Sequence, residues 1–220
     1  MKILVALSGG VDSAAAALLL KKQGYTVIGI TAKMWQGANA QDVKDAEAIC
    51  QTLGIEHHYV DLCNDFQEKV IAPFVQQYDI GLTPNPCVIC NKEIKFGVLA
   101  KYLQEFACEK FATGHYARID KVNNKSVLLK AKDLKRDQSY FLYGLPVNLL
   151  DNLLFPLGEY TKDEIRKLVA DAGISVAHKS DSQDICFVPN GNYMQVLNEF
   201  GLKHSHTGNF ELANGEKIGK

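Results

Sequence analysis

Two cysteines, Cys87 and Cys90, stand three residues apart in the proline-rich stretch 82–91. A thiol becomes nucleophilic when its pKa falls, and a helix amino terminus or a nearby cation lowers that pKa. The sequence after Cys90 predicts a helix that begins there and carries Lys92 and Lys95 in its first turns. We therefore expect Cys90 to be a reactive thiolate.

Three other interpretations of this cysteine pair remain open. A zinc site would need a second Cys-x-x-Cys pair, which the sequence lacks. A structural disulfide is rare in a reducing compartment, and the apolar run Ile3–Leu7 is too short for a secretory signal. Two inert thiols in a loop would give the same pattern.

A second candidate for chemistry is the stretch Ser8–Ser13, Ser-Gly-Gly-Val-Asp-Ser, between a predicted strand and a predicted helix. Glycines allow close backbone approach to a ligand, and the free N–H groups of a helix start favour an anion. A tight turn in which Asp12 or Ser13 caps the helix explains the same residues. The pattern is neither a Walker A loop nor a dinucleotide fingerprint.

The elements that must position these loops alternate between strand and helix. Alternation of this kind predicts an α/β fold, a Rossmann-like parallel sheet with helices on both faces. Ligands of such sheets bind at the carboxyl ends of the strands, where Ser8–Ser13 lies. The predicted strands are Lys2–Leu7, Tyr25–Thr31 and His57–Leu62, and the predicted helices are 13–23, Ala40–Leu53 and Asp65–Tyr78, the last kinked at Pro73.

The remainder of the chain is predicted to be less regular. Two prolines in three residues make 82–91 a stiff, non-helical loop. After it we expect a helix at Asn91–Phe106, a strand at Lys110–Thr113, and a hairpin of Tyr116–Lys121 with Ser126–Ala131 around Asn123-Asn124. We further expect mostly helical structure at 137–172, with breaks at Pro146 and Pro156, and irregular or short-stranded structure at 174–190.

Composition excludes several classes of protein. The 220 residues are 47% hydrophobic and 22% charged, which is typical of a folded globular chain rather than a disordered or collagen-like one. No run approaches the roughly 18 apolar residues of a membrane span. The net charge of −1 argues against nucleic-acid binding by bulk charge. Residues 121–136 nevertheless hold six Lys and Arg against one Asp, which indicates either a phosphate-binding patch or a solvated hairpin face.

Five stretches, taken in order, resemble a known family. Ser8–Ser13 resembles the pyrophosphate loop of the ATP pyrophosphatase superfamily. The stretch TPNPCVICNKEIKF at 83–96 resembles the signature of the tRNA-specific 2-thiouridylases. FATGHYAR at 111–118, RDQSYFL at 136–142 and DSQDICF at 181–187 are similar to further stretches of that family.

This resemblance implies a fold and an activity. The fold is the adenine nucleotide alpha hydrolase-like variant of the Rossmann-like sheet. The activity is 2-thiolation of the wobble uridine of tRNA, in which ATP adenylates the base and a cysteine persulfide delivers sulfur. Cys90 resembles the first catalytic cysteine and Cys186 the one that carries the persulfide. The alternatives are an ATP pyrophosphatase acting on a small molecule and a non-catalytic nucleotide-binding module.

The resemblance also assigns binding residues, and Asp12 is expected from its charge to help hold Mg²⁺. Read alone, His115 would be a satisfied loop histidine, Asp137 and Gln138 capping residues, and Cys186 a buried strand thiol. The implied ATP contacts are Ala6, Leu7, Ser8, Gly9, Gly10, Val11, Asp12, Ser13, Ala32 and Gly114. The implied tRNA contacts are Asn85, Pro86 and Cys87 at the target base, and His115, Arg136, Asp137 and Gln138 elsewhere.

One residue departs from the family, which often has aspartate where this chain has Cys87. If Cys186 approached Cys87 and Cys90, three thiolates could hold an iron–sulfur cluster with one open iron, which is a further hypothesis. The resemblance implies tRNA and a persulfide-donating protein as partners, no membrane, and a cytoplasmic location. It also implies a catalytic domain at 1–200 and, at 201–220, the start of a truncated central domain without the family's C-terminal barrel.

Overall fold

The computed structural model describes residues 1–37, 40–181, 184–188, 191–201 and 208–220. Its centre is a five-stranded sheet in the order β3-β2-β1-β4-β7, with every neighbouring pair parallel. This confirms the predicted α/β, Rossmann-like architecture. The strands are β1 (Lys2–Ala6), β2 (Thr26–Lys33), β3 (Glu56–Asp61), β4 (Lys110–Ala112) and β7 (Leu153–Leu154).

Helices cover both faces of the sheet. Ile3 and Val5 belong to one core and Leu4 to the other, because successive side chains of a strand point to opposite faces. The helices are α1 (Val11–Lys22), α2 (Ala40–Leu53), α3 (Cys63–Phe66), α4 (Ala72–Asp79), α5 (Pro86–Ile89), α6 (Tyr102–Glu105), α7 (Val147–Leu150), α8 (Lys162–Asp171) and α9 (Tyr193–Glu199).

Two hairpins lie outside the central sheet. In the first, β5 (Ala117–Val122) and β6 (Lys125–Lys130) pair antiparallel around Asn123 and Asn124, as predicted. Both asparagines have positive φ, 49° and 62°, which a two-residue I′ turn requires. The second hairpin pairs β8 (Phe210–Glu211) with β9 (Lys217–Gly219). No helix within the described ranges is long and apolar enough to cross a membrane.

The prediction of a non-helical loop at 82–91 was wrong in its second half. Helix α5 begins at Pro86, and the side chain of Asn85 caps it by accepting a hydrogen bond from the Cys87 amide at 3.2 Å. Proline is favoured in the first turn because its missing N–H has no partner there in any helix. The helix then continues through a π-helical segment, Cys90–Val98, and a 3₁₀ turn, Leu99–Lys101.

Two further helix predictions need correction. A π-helical turn, Gln67–Ile71, joins α3 to α4 just before Pro73, so the irregularity precedes the proline. Residues 137–172 are only partly helical: besides α7 and α8 they contain a 3₁₀ turn, Ser139–Phe141, and β7. Strand β7 was missed because a short apolar run is compatible with both a strand and a buried helix. Its pairing with β4 in the folded sheet is what makes it a strand.

Candidate active site

The Ser8–Ser13 loop joins β1 to α1 and is closed by its own serines. The Ser8 amide and hydroxyl donate to Ser13 Oγ at 3.2 and 3.3 Å, and Ser13 Oγ donates to the Gly10 carbonyl at 3.0 Å. Helix α1 starts at Val11 with Gly10 as its N-cap, so neither Asp12 nor Ser13 caps it. Without a side-chain cap, the first-turn N–H groups remain available to an anion. The loop neighbours Ala6 and Leu7 lie at the end of β1 and in the core.

Two glycines bring other parts of the molecule against this loop. Gly9 has a φ of +71°, and a Cβ there would overlap the backbone carbonyl oxygen of Asp42. A Cβ on Gly114, just after β4, would lie 2.8 Å from the Ser13 amide nitrogen. Strands β1 and β4 flank the point where strand order reverses, which is where ligands of open α/β sheets bind. Ala32, near the end of β2, lies at the same edge of the sheet.

A network of charges borders the loop, and most of it was not predicted. Lys162 Nζ lies 2.8 Å from both carboxylate oxygens of Asp12 and 2.8 Å from Asp181 Oδ1. Arg136 and Arg166 also pair with Asp181, at 3.0 and 2.8 Å. Burial raises the pKa of Asp181, but Lys162 and the two arginines outweigh it, so its pKa is lowered. This charge network of Asp12, Arg136, Lys162, Arg166 and Asp181 joins four separate parts of the chain.

A second lysine ties the loop to α2. Lys179 Nζ donates to the Gly9 carbonyl at 3.0 Å and pairs with Asp42 at 2.8 Å and Asp45 at 2.5 Å. The hydrogen bond from Lys179 is the main cause of the lowered pKa of Asp45. Among these residues only Lys162 could have been found from the sequence, because it shares the apolar face of α8 with Ile165 and Val169. A lysine on an apolar face indicates a buried partner.

The described residues do not by themselves assemble a metal site. No group of three or more His, Cys, Asp or Glu among the described residues could hold a metal ion. Lys162 donates a hydrogen bond to each carboxylate oxygen of Asp12, and Tyr116 Oη donates to one of them at 2.9 Å. These residues therefore do not fit a protein-held Mg²⁺. The same finding leaves the iron–sulfur hypothesis for Cys87, Cys90 and Cys186 without support from the geometry.

Cys90 is not the helix-terminal thiolate that we expected. Because α5 starts one turn earlier, Cys90 lies inside the helical run, at the beginning of the π-helical segment, and is buried. Burial raises the pKa of its thiol, and the positive charge of Lys95 only partly offsets this. Burial likewise raises the pKa of Cys87, which is half-buried. In the resting structure both groups are therefore thiols at neutral pH.

Cys186 belongs to the same electrostatic neighbourhood. Part of Cys186 is exposed, but the surrounding protein desolvates its thiol. This desolvation, together with the charges of Cys90 and Cys87, raises the pKa of the Cys186 thiol to about 12. Lys95 acts in the opposite direction on all three thiols. The charge of Cys90 therefore acts on the thiol of Cys186, the other predicted catalytic cysteine. Ser182 and Gln183 of the same sequence motif lie outside the described residues.

The residues predicted to contact tRNA have internal partners. His115 Nδ1 is 2.7 Å from Thr113 Oγ1, and burial lowers the pKa of the ring well below its ordinary value. Asp137 accepts from the Ala131 amide at 2.8 Å, and Gln138 Oε1 accepts from the Tyr116 amide at 3.0 Å. The contact of His115 matches its structural alternative, a satisfied loop histidine, whereas Gln138 makes no side-chain cap and the amides of Ala131 and Tyr116 lie outside helices. Contact with tRNA stays a prediction for all three.

A groove runs beside α5, the short helix that carries Cys87. Asn85 and Pro86 contribute to its wall, and the exposed ring of Tyr143 closes one side. The neighbouring Tyr140 is also exposed. Desolvation is the largest cause of its raised pKa, and the charge of Cys87 raises that pKa further. The groove is lined by Val70, Pro73, Phe74, Gln77, Pro84, Asn85, Pro86, Val88, Ile89 and Tyr143.

A parallel sheet whose switch point carries the Ser-Gly-Gly loop and the uncapped start of α1 defines a protein of Rossmann-like fold. The family model described as "tRNA methyl transferase HUP domain" matches residues 1–190, and the chain belongs to this family. Although that description names a methyl transferase, many curated relatives carry the name tRNA-specific 2-thiouridylase MnmA.

The relative from Rickettsia massiliae (strain Mtu5) is 45% identical over 99% of this chain and 62% of its own length. The one from Treponema denticola is 42% identical over 100% of this chain and 63% of its own length. The chain therefore spans about 62% of the length of these curated relatives. Among solved structures, a 4-thiouridine synthetase bound to RNA and ATP matches with a TM-score of 0.57 at 17% identity, covering 91% of this chain and 51% of the other, which shows the shared fold.

Proposed function

We propose that this chain is the nucleotide-binding and thiol-bearing part of an enzyme that 2-thiolates the wobble uridine of tRNA at the expense of ATP. The observation that carries the proposal is the electrostatic proximity of Cys186 to Cys90. The positive charge of Lys95 lowers the pKa of both thiols and of His115. Gly114, which precedes His115, packs on the Ser8–Ser13 loop. Thiol chemistry and phosphate binding would therefore share one edge of the sheet. The names of the curated relatives support the same activity.

ATP has a defined task in this proposal. The C2 oxygen of uridine is a poor leaving group, so it attacks the α-phosphate, pyrophosphate leaves, and an adenylated base results. The N–H groups at the start of α1 would stabilise the phosphate charge. Ala32 and Gly114, at the same sheet edge, would border the rest of the nucleotide. Any magnesium would be bound by the phosphates of ATP, and we assign it no step on this chain.

Sulfur would arrive as a persulfide on Cys186, supplied by a donor protein. In one route its terminal sulfur attacks C2, AMP leaves, and Cys90 then attacks the Cys186 sulfur so that the S–S bond breaks and the thiocarbonyl remains. In the other, Cys90 first attacks Cys186 and releases hydrosulfide, which displaces AMP from C2. Both routes end with a Cys90–Cys186 disulfide, which a dithiol reductant reopens by exchange.

Recognition of tRNA would combine the start of α5, at Asn85–Cys87, with the basic hairpin. Lys121, Lys125 and Lys130 are exposed, but the register puts Lys121 and Lys130 on one face and Lys125 on the other. The hairpin therefore offers cations on two sides rather than a single flat patch. The target base must leave the anticodon stack to reach the thiols, as in other enzymes that modify a base. A tRNA substrate also implies the cytoplasm as the working compartment.

The experiment that tests this proposal measures pyrophosphate release from ATP with and without a tRNA transcript. We expect release that requires the tRNA, since the base is the adenylated group. Cys90→Ser and Cys186→Ser should still release pyrophosphate in a single turnover, while Cys108→Ser, outside the thiol neighbourhood, serves as a control. Release driven by a small amine acceptor, or no release above the ATP-only background, would overturn the proposal.

A further inference from the structure

Lys162 is the one charged residue that the structure buries within its described ranges, with 6% of its surface exposed. An ammonium group has three donors, and two oxygens of Asp12 and one of Asp181 take them at 2.8 Å. Its neighbours on the same face of α8, Ile165 and Val169, are fully buried apolar residues. An apolar residue at 162 would avoid the cost of desolvating a charge, so packing alone does not explain the lysine.

The partner of Lys162 lies where a phosphate would bind. Asp12 is in the first turn of α1, the helix start that the Ser8–Ser13 loop leaves uncapped. An unpaired carboxylate at this position would repel an anion, because like charges a few ångströms apart interact strongly in a poorly hydrated site. The four cations and four carboxylates around the loop balance in number, and loss of Lys162 would leave an excess of negative charge there. They are Arg136, Lys162, Arg166 and Lys179, and Asp12, Asp42, Asp45 and Asp181.

We propose that Lys162 is a positioning residue of the nucleotide site, which fixes the Asp12 carboxylate and offsets its charge so that the phosphates of ATP can enter the loop. Asp181 anchors Lys162 from the opposite side and is itself held by Arg136 and Arg166. Lys162 acts through Asp12 and need not touch the substrate. The inference rests on the proposed use of ATP at this loop.

The test measures the affinity of the 220-residue chain for ATP, pyrophosphate and adenosine by titration calorimetry. Lys162→Met should weaken ATP and pyrophosphate binding by about tenfold or more, and leave adenosine binding within about twofold. Lys162→Arg should restore most of the ATP affinity because it keeps the charge. Lys167→Met, an exposed lysine on the same helix, should bind all three ligands as the unaltered chain does.

A double-mutant cycle separates positioning from a merely structural role. If Lys162 acts through Asp12, adding Lys162→Met to Asp12→Asn should cause no further loss of ATP affinity. This double variant has no uncompensated carboxylate at position 12, so it remains informative if Lys162→Met alone fails to fold. Unchanged ATP affinity in Lys162→Met, equal losses for ATP and adenosine, or additive effects in the cycle would each overturn the inference. If the unaltered chain bound no ATP, the nucleotide step of the proposed function would fail as well.

Discussion

Gly114 packs against Asp12 so closely that a Cβ on Gly114 would lie 2.7 Å from the Asp12 carbonyl carbon. The obstacle is backbone, which no side-chain rotation can move away. The contact joins the loops that follow β1 and β4, the two strands at the switch point of the sheet. Glycine at 114 is therefore what allows the two loops to lie in contact.

Gly114→Ala should destabilise the protein by about 1–3 kcal/mol, because the added methyl group must push the two loops apart. The same displacement should weaken ATP binding. Urea unfolding and ATP titration measure the two effects. Gly144→Ala, outside the loop, is the control, since its Cβ would meet only the Lys92 side chain at 3.8 Å, and its stability should change by less than about 1 kcal/mol. Equal stability of the two variants would contradict the importance of this contact.

The raised pKa values of Cys90 and Cys186 predict slow alkylation near neutral pH. Only the thiolate reacts, so the iodoacetamide rate at Cys186 should rise about tenfold per pH unit through pH 10, toward its pKa of about 12. Site-resolved mass spectrometry follows each cysteine. Lys95→Met should slow the reaction at every pH, because it removes the charge that lowers both pKa values. Lys92→Met is the matched control, and a rate that levels off below pH 9 would contradict the prediction.

Acid should reduce the stability that the charge network contributes to the folded chain. The pKa of Asp181 is lower in the folded chain than the value of about 3.9 expected when unfolded, so its stabilising contribution is present above that pH and is lost as the pH falls below it. Asp181→Asn should therefore cost more stability at pH 7 than at pH 3.5, as urea unfolding would show. Asp171→Asn, at an exposed site, is the control. An equal cost at both pH values would argue against an ionised, paired Asp181.

The basic hairpin predicts salt-sensitive RNA binding. Changing Lys121, Lys125, Lys130 and Lys132 to glutamine should weaken binding of an anticodon stem-loop and flatten its salt dependence. Each lost phosphate contact removes about 0.7–0.9 from the slope of log K against log salt. Fluorescence anisotropy at several salt concentrations measures both quantities. An unchanged affinity with an unchanged slope would remove the hairpin from the interface.

Some of this structure could be predicted because its causes are local. The run Ile3–Val5 has both faces buried, so it is apolar without interruption, and Asn123-Asn124 tolerates the positive φ of a tight turn. The helix start at Pro86 was missed although Asn85 and Pro86 are its usual signals, because the two prolines were interpreted as a loop. That start places Cys90 inside a helix and reverses the expected direction of its pKa shift.

The charge network could not be predicted for a different reason. Lys162 and Asp12 are 150 positions apart, and only the packing of α8 beside α1 brings them together. The proximity of Cys186 to Cys90 likewise depends on tertiary structure. The motifs identified the residues at Ser8–Ser13 and the cysteines, whereas the positioning residues around them became visible only in three dimensions.

Sulfur transfer through Cys90 and Cys186 at the expense of ATP can be tested by mass spectrometry of nucleosides from tRNA incubated with the chain, ATP and a persulfide donor. We expect 2-thiouridine at the wobble position, with loss of the signal in Cys90→Ser, in Cys186→Ser and without ATP, and a normal signal in Cys108→Ser. No 2-thiouridine from the unaltered chain, or full thiolation in either catalytic-cysteine variant, would contradict it.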